Sequence, residues 1–297
     1  MRDLIRKAPL YQQMPVNRLL DPIWQMFATL LYSGKLYLRD HRLIQSRLIL
    51  TRNLESTKEG IPLLVIGNGP SANDLTLEQV NLLRLKSCEF AVMNEFHRNI
   101  YLSSMLSPNY YFLSDPGFYE KNFENRKRDL SDFLQANPDC FEVRPANINP
   151  KLLFGSRVLY FNPISGAGIF RKFNPLKWRS YPDSVLFAAL CFAIFRGYNP
   201  IYLIGADNSM YKYHFYSKDM RIQVRRSTGF HSYEEPETVS ETLPNITRSM
   251  SDVLYAHAVF LHDLKRFCAA KVVNVGITDE TNDALPKACL LPRDKRE

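Results

Sequence analysis

Four predicted β-strands of this chain are each followed by an amide or carboxylate side chain. The four residues are Asn68, Asn94, Asp115 and Asp207. Such side chains hydrogen-bond sugar hydroxyls and the edges of nucleotide bases. Asn and Asp are common in turns, so one of them alone would mean little. Because open α/β sheets bind ligands at the carboxyl ends of their strands, four polar residues at one sheet edge predict a nucleotide or sugar site.

The most distinctive of these segments reads PLLVIGNGPSANDLT, residues 62–76. Gly67 and Gly69 let the backbone approach a phosphate or a sugar, and amides at the start of the next helix can hold an anion. Ser71 has capping-box spacing to Asp74, so it is either a ligand contact or a helix cap. The segment is neither G-x-G-x-x-G nor a Walker loop, because no GK[ST] follows. A tight turn is the alternative to a phosphate-binding loop.

Short apolar runs alternate with helical stretches from residue 61 onward, which predicts an α/β fold with a Rossmann-like, mostly parallel sheet flanked by helices. The predicted strands span residues 62–67, 88–93, 109–113, 141–145, 157–161, 200–205 and 271–275. The predicted helices span residues 76–85, 117–134, 183–196 and 246–268.

Two segments do not follow this alternation. Residues 1–60 carry ten basic and five acidic residues, with aromatic and aliphatic residues at helical spacing. We expect a basic amphipathic helical extension there, split into two helices near Ser33-Gly34. It would contact an anionic membrane as a peripheral anchor, or pack on the neighbouring domain or on a second copy of the chain. Within the predicted Rossmann-like domain, residues 61–290, the stretch 207–245 is too long for an ordinary connection and predicts a lid.

The composition indicates a basic globular protein. A net charge of +8 favours anionic partners such as nucleotides, acidic glycans and anionic lipids. The five cysteines have no metal-ligand spacing, so we expect no metal site. No apolar leader follows the first basic residues, which favours a cytoplasmic location. A nucleic-acid partner is not expected, because no dense basic stripe and no helix-turn-helix, RNP or zinc signature is present.

Taken together, the motifs resemble glycosyltransferase family 42, the bacterial sialyltransferases, and a broader set of related nucleotide-binding proteins. The resemblance rests on GNGPS, MNEF, SDPGFY and DSVLFAALCFAIFRGYNPIYLIGAD. The family pattern is G-N-G-P-S, then C-N-Q-F, then Y-N-P, then T-S-G before a helix that runs into G-Y-x-x-I-Y-L-x-G-x-D. The similarity covers residues 61 to 207 and is weaker through 276.

The resemblance implies a site for a CMP-sugar donor. Asn68 and Ser71 would contact the donor near its phosphate and ribose. Asn94 would help to hold the nucleotide, and Asp207 would bind the cytidine or the ribose.

Two positions of the implied donor site also depart from the family pattern. Asp115 stands where the family has Asn, which alters the contact to the sugar or the base. Ser184 would open the helix beneath the phosphate, but Val185 follows it where the family has Ser, and Asp183 precedes it, an acid that would repel a phosphate unless it is turned away.

For the chemistry, the resemblance implies a histidine base and tyrosines that hydrogen-bond the departing phosphate. His231, in STGFHSYEEPE, is the expected base, and His214 is the rival. Ser209 replaces the tyrosine that the family has after G-x-D, so the nearby Tyr211 and Tyr213, or Tyr216, would take over its role. The base would accept the proton of an acceptor hydroxyl while CMP leaves, and no metal would be required.

The implied activity is metal-independent transfer of sialic acid, or of a related acid sugar such as Kdo, from CMP to a glycan hydroxyl. The products would be bacterial surface polysaccharide or lipooligosaccharide, made at the inner face of the membrane. One alternative is a Mg-dependent diphosphokinase-like phosphotransferase, in which Asp115 and Asp207 would be metal ligands. Another is a non-catalytic nucleotide-binding accessory protein.

Overall fold

The computed structural model describes residues 17–119, 124–148, 154–164, 173–177, 184–206, 214–216, 222–224, 237–240 and 261–275, the last range without 263, 267, 269 and 270. These residues contain ten strands. They are β1 (Leu63–Ile66), β2 (Glu89–Met93), β3 (Tyr110–Phe112), β4 (Phe141–Pro145), β5 (Arg157–Phe161), β6 (Ile201–Ile204), β7 (His214–Tyr216), β8 (Ile222–Val224), β9 (Glu237–Ser240) and β10 (Val272–Asn274).

Seven of the strands form one parallel sheet in the order β10-β6-β1-β2-β3-β4-β5. These are the seven strands that the sequence predicts, and the predicted α/β, Rossmann-like fold is confirmed. The chain adds strands outward from β1 to β5 and then returns to place β6 on the other side of β1. Rossmann-like sheets bind their ligands at such a reversal of strand order, outside the carboxyl ends of the strands.

The predicted lid, residues 207–245, contains regular structure. Strands β7, β8 and β9 form a separate antiparallel sheet in which β8 lies in the middle. The residues between these strands lie outside the described part of the chain.

Five α-helices have both ends within the described residues. They are α1 (Asn17–Arg52), α2 (Leu77–Leu85), α3 (Ile100–Met105), α4 (Glu124–Ala136) and α5 (Val185–Arg196). The predicted helix 117–134 is wrong over 117–119, because Pro116–Tyr119 is a short 3-10 turn, and the described α4 covers the rest of the prediction from Glu124. Of the predicted helix 246–268, only parts of 261–268 are described, and these are helical.

Helix α5 covers one face of the sheet, over β1, β2 and β3. Ten of its twelve residues are buried, which explains why its sequence is apolar on every side. After α5 ends, Asn199 donates its backbone N–H to Ile61 O, just before β1 begins. The carboxyl end of α5 therefore lies at the amino edge of the sheet, and its amino end points to the carboxyl edge.

Helix α1 is continuous, so the predicted break near Ser33-Gly34 is wrong. A glycine inside a helix costs about 1 kcal/mol relative to alanine. The carboxyl-terminal half of α1 offsets this cost, because Leu36, Ile44 and Leu48 are buried in a cluster with Tyr160 of β5. Burial along one face fixes the helix more strongly than the local preference of Gly34 opposes it.

Helix α1 also closes the open edge of the sheet at β5. The Thr51 hydroxyl donates to Tyr160 O at 2.7 Å and accepts from Tyr160 N at 3.0 Å. Arg47 donates to Ala146 O at 2.7 Å, next to the end of β4. These contacts satisfy backbone groups that an edge strand otherwise exposes. Within the described residues, no helix combines the length and apolar character needed to cross a membrane.

Candidate functional site

Two glycines are in direct contact at the point where the strand order reverses. One follows β1 and the other follows β6. A Cβ atom at Gly67, after β1, would lie 2.2 Å from the carbonyl oxygen of Gly205, after β6. A Cβ atom at Gly205 would lie 2.4 Å from Gly67 O and 2.9 Å from Ala72 Cβ. Gly205 also has φ +71°, a conformation that side chains oppose. Only glycine fits at either position without a shift of the backbone.

Hydrogen bonds join the same two loops. Gly67 N–H donates to Ile204 O, and Gly69 N–H donates to Gly205 O, both at 2.8 Å. Gly205 N–H donates to the Ser71 hydroxyl at 3.1 Å, and Ser71 is 1% exposed. We call this set of residues, Gly67, Gly69, Ser71 and Gly205, the β1–β6 joint. Of the two alternatives for Ser71, the helix cap is wrong, because Gly69 is the N-cap of the turn Pro70–Asp74 and the Ser71 hydroxyl accepts from Gly205 in the β6 loop.

Asn68 lies inside this joint but takes no part in its hydrogen bonds. Its side chain is half-buried, and its Oδ1 atom is buried with no hydrogen-bond partner in the described part of the chain. Leaving a buried acceptor unpaired costs about 1–3 kcal/mol. Such a group is rare in folded proteins, and a donor on a ligand would remove the cost.

Asn94 connects the ends of β2 and β3. It adopts φ +44°, a left-handed conformation that asparagine tolerates better than most residues. Its backbone N–H donates to Phe112 O at 2.9 Å, and its Oδ1 accepts from Ser114 N at 3.4 Å. Its carbonyl oxygen accepts from the buried Tyr111 hydroxyl at 2.6 Å. The fold therefore fixes Asn94 from both strands.

His97 contacts the Tyr111 hydroxyl and so supports the position of Asn94. Its Nδ1 atom lies 2.8 Å from the Tyr111 hydroxyl oxygen, and its backbone N–H also donates to that oxygen at 3.1 Å. Because the single hydroxyl hydrogen of Tyr111 goes to Asn94 O, Nδ1 must be the donor. Burial lowers the pKa of His97, so the ring is neutral and Nε2 carries a lone pair. That Nε2 atom is buried and has no hydrogen-bond partner among the described residues.

Sequence reasoning missed both Tyr111 and His97. Tyr111 lies in the middle of a strand and looks like an ordinary core residue. The available signal was the position of His97 only three residues after Asn94, in MNEFH.

Asn68, Asn94 and Asp115 follow β1, β2 and β3, which are adjacent in the sheet. The fold therefore brings these three residues to the same carboxyl edge, and Asp115 is exposed there. Ser184 is the N-cap of α5, whose amino end faces that edge, and its side chain makes no capping hydrogen bond. The first turn of α5 contains no acidic residue. The positive end of α5 would favour an anion, against the repulsion expected from Asp183, which directly precedes Ser184 in the sequence.

The remaining predicted site residues lie in the lid region. His214 is the first residue of β7 and pairs with Val224 of β8. Four predicted site residues lie outside the described residues: Asp207, Tyr211, Tyr213 and His231. In the described part of the chain, no group of three His, Cys, Asp or Glu side chains is placed to hold a metal ion.

The tyrosine of the G-Y element has a structural role at the opposite edge of the sheet. The Tyr198 hydroxyl donates to the carboxylate of Glu89 and lies 2.8 Å from the Tyr110 hydroxyl. Arg196 donates to Tyr110 at 3.0 Å, and Lys58 forms an ion pair with Glu89. This partly buried network ties the end of α5 to β2 and β3.

No family profile, curated protein or solved structure matches this chain. The functional assignment therefore depends on the residues of the site themselves.

Proposed function

We propose that this protein is a metal-independent glycosyltransferase that binds a CMP-activated acid sugar at the carboxyl edge of the sheet, above the β1–β6 joint. The observation that carries the proposal is the buried, unpaired Oδ1 of Asn68 at the reversal of strand order. A ribose hydroxyl or a cytosine amino group would donate to it. The amino end of α5 faces the same edge and would stabilise the donor phosphate.

The proposed chemistry is a single displacement. His231, with His214 as the rival, accepts the proton of the acceptor hydroxyl as its oxygen bonds to the anomeric carbon. The bond between that carbon and the phosphate oxygen breaks, and CMP leaves with the electron pair. Tyr211 and Tyr213 donate hydrogen bonds to the leaving phosphate, and Asp207 binds the nucleoside.

Thermal shift with nucleotides tests the donor assignment. We expect CMP to stabilise the chain by about 2.7 kcal/mol at a concentration one hundred times its Kd, with no effect of EDTA. Stabilisation by ATP with Mg²⁺, abolished by EDTA and absent with CMP, would instead indicate the phosphotransferase. No shift with either nucleotide would contradict nucleotide binding at this edge.

Asn68→Ala and Ser71→Ala form a matched pair. Asn68→Ala removes an unpaired acceptor, so the unliganded protein should keep or gain stability while CMP affinity falls about tenfold, equivalent to about 1.4 kcal/mol. Ser71→Ala removes the acceptor of Gly205 N–H, so it should cost about 1–3 kcal/mol without any ligand. Equal CMP affinity in wild type and Asn68→Ala would contradict the assigned role of Asn68.

Release of CMP from CMP-sialic acid tests the catalytic base. His231→Ala should abolish release while keeping the thermal shift with CMP. Full turnover in both His231→Ala and His214→Ala would exclude both histidines as the base.

A further inference from the structure

Helix α1 has a second apolar face that points away from β5. Leu31, Leu38 and Ile49 are 54%, 83% and 50% exposed, and Phe27, at 51%, extends the row toward the amino end. At 3.6 residues per turn, the three aliphatic residues fall within a strip about 20° wide and about 27 Å long. We call Leu31, Leu38 and Ile49 the outer stripe. Gly34 lies between its first two members and has open space around it.

Basic side chains border the outer stripe. Lys35 and Arg42 are exposed on one side of it, and Arg52 is exposed on the other. From residue 27 to residue 52 the only acidic residue is Asp40. Arg39 donates two hydrogen bonds to its carboxylate, at 2.9 and 2.7 Å, and these bonds lower the pKa of Asp40. The surface around the stripe is therefore positively charged.

The charge distinguishes between the partners that could cover this face. In a symmetric dimer each copy presents the same surface, so two copies meeting through the stripe would bring basic side chains close to basic side chains. An anionic lipid surface instead offers an apolar layer for the leucines and negative headgroups for the basic residues.

We propose that α1 is a membrane-surface helix that lies flat on an anionic bilayer through the outer stripe. The same helix holds the parallel sheet through its opposite face, where Thr51 and Arg47 bind the edge of the sheet. The attachment is rigid, because one continuous helix carries both faces. This inference does not depend on the proposed transferase activity.

Co-sedimentation of the full chain with vesicles tests the proposal. We expect binding to vesicles of equal parts phosphatidylglycerol and phosphatidylcholine, weaker binding at high salt, and little binding to pure phosphatidylcholine. Equal binding to both vesicle types, or no binding to either, would overturn the proposal.

Two sets of variants separate the apolar and the charged contributions. Leu31→Asn with Leu38→Asn should weaken the partition at least tenfold, whereas Leu85→Asn should leave it unchanged. Leu85 is a suitable control because it is an equally exposed leucine, at 82%, on a different helix, α2. Lys35→Gln with Arg42→Gln should weaken binding to the anionic vesicles about thirtyfold. This follows because each basic residue near an anionic surface contributes about 1 kcal/mol of binding free energy.

Light scattering after size exclusion tests the competing explanation. A dimer that becomes a monomer in the Leu31→Asn, Leu38→Asn variant, without vesicle binding by wild type, would show that the stripe is a subunit interface. The variant should keep the thermal shift with CMP, so loss of membrane binding and failure of the transferase proposal give different results.

Discussion

Four glycine-to-alanine substitutions separate the two physical demands of the β1–β6 joint. At Gly34 the added Cβ meets open space in a helix, and at Gly60 it meets open space at φ +77°. At Gly67 it would lie 2.2 Å from a backbone oxygen, without a left-handed φ. At Gly205 the added Cβ would combine a left-handed backbone, at φ +71°, with steric overlap, since Gly67 O would lie 2.4 Å away. The set therefore tests conformational strain and steric overlap singly and together.

The expected costs follow from each environment. Gly34→Ala should stabilise the protein by about 1 kcal/mol, because alanine is the better helix former. Gly60→Ala should cost about 1 kcal/mol, since left-handed strain of about 1–2 kcal/mol is partly offset by the lower entropy of the unfolded chain. Gly67→Ala should cost about 2–4 kcal/mol from overpacking and a weakened hydrogen bond. Gly205→Ala adds the strain and should cost about 3–5 kcal/mol.

Urea unfolding measures these differences, and an unchanged m-value confirms that only stability has changed. The decisive comparison is Gly205→Ala against Gly60→Ala, because both carry the strain and only the first carries the overlap. Equal costs for these two variants would show that the two loops are not in close contact, and the description of the joint would be wrong.

Two further predictions concern His97 and Thr51. Burial lowers the pKa of His97 in the folded chain, so its contribution to stability is complete above about pH 6.5 and is lost as the pH falls through the lowered value. Urea unfolding between pH 7.5 and 5.5 should show a steeper loss for wild type than for His97→Gln, by at most about 1.4 kcal/mol per pH unit, and parallel curves would contradict this. Thr51→Val should cost about 1–3 kcal/mol in the same assay, because it leaves two backbone groups of Tyr160 unpaired. The exposed Ser46→Ala on the same helix should change stability by less than about 0.5 kcal/mol, and an equal loss in both variants would refute the edge-closing role of Thr51.

The parallel sheet could be predicted because its strands are buried on both faces. Such strands appear in a sequence as continuous apolar runs, and LLVI and IYLI are clear examples. Helix α5 was also predictable, because a long apolar stretch ends at Gly197. Strand ends then predict which polar residues share an edge, and this places Asn68 and Asn94 at the carboxyl ends of neighbouring strands.

Contacts between distant parts of the chain could not be predicted. The partner of Ser71 is Gly205, 134 residues away, whereas a local capping pattern points to Asp74. The break expected at Gly34 followed from a local preference of about 1 kcal/mol, while the burial that overrides it comes from β5. Similarly, a tyrosine within a strand gives no sign that its hydroxyl holds Asn94.

The β1–β6 joint changes how the GNGPS and GAD motifs are understood. Gly67, Gly69, Ser71 and Gly205 all have contacts within the fold that account for them without any ligand. A sheet of this topology would therefore favour these residues whatever it binds, so their presence alone does not distinguish a transferase from a phosphotransferase or an accessory protein. Asn68 is different, because the fold buries its Oδ1 and gives it no partner in the described residues. Ligand identity should therefore be sought with Asn68 variants, since substitutions of the joint residues would report on stability first.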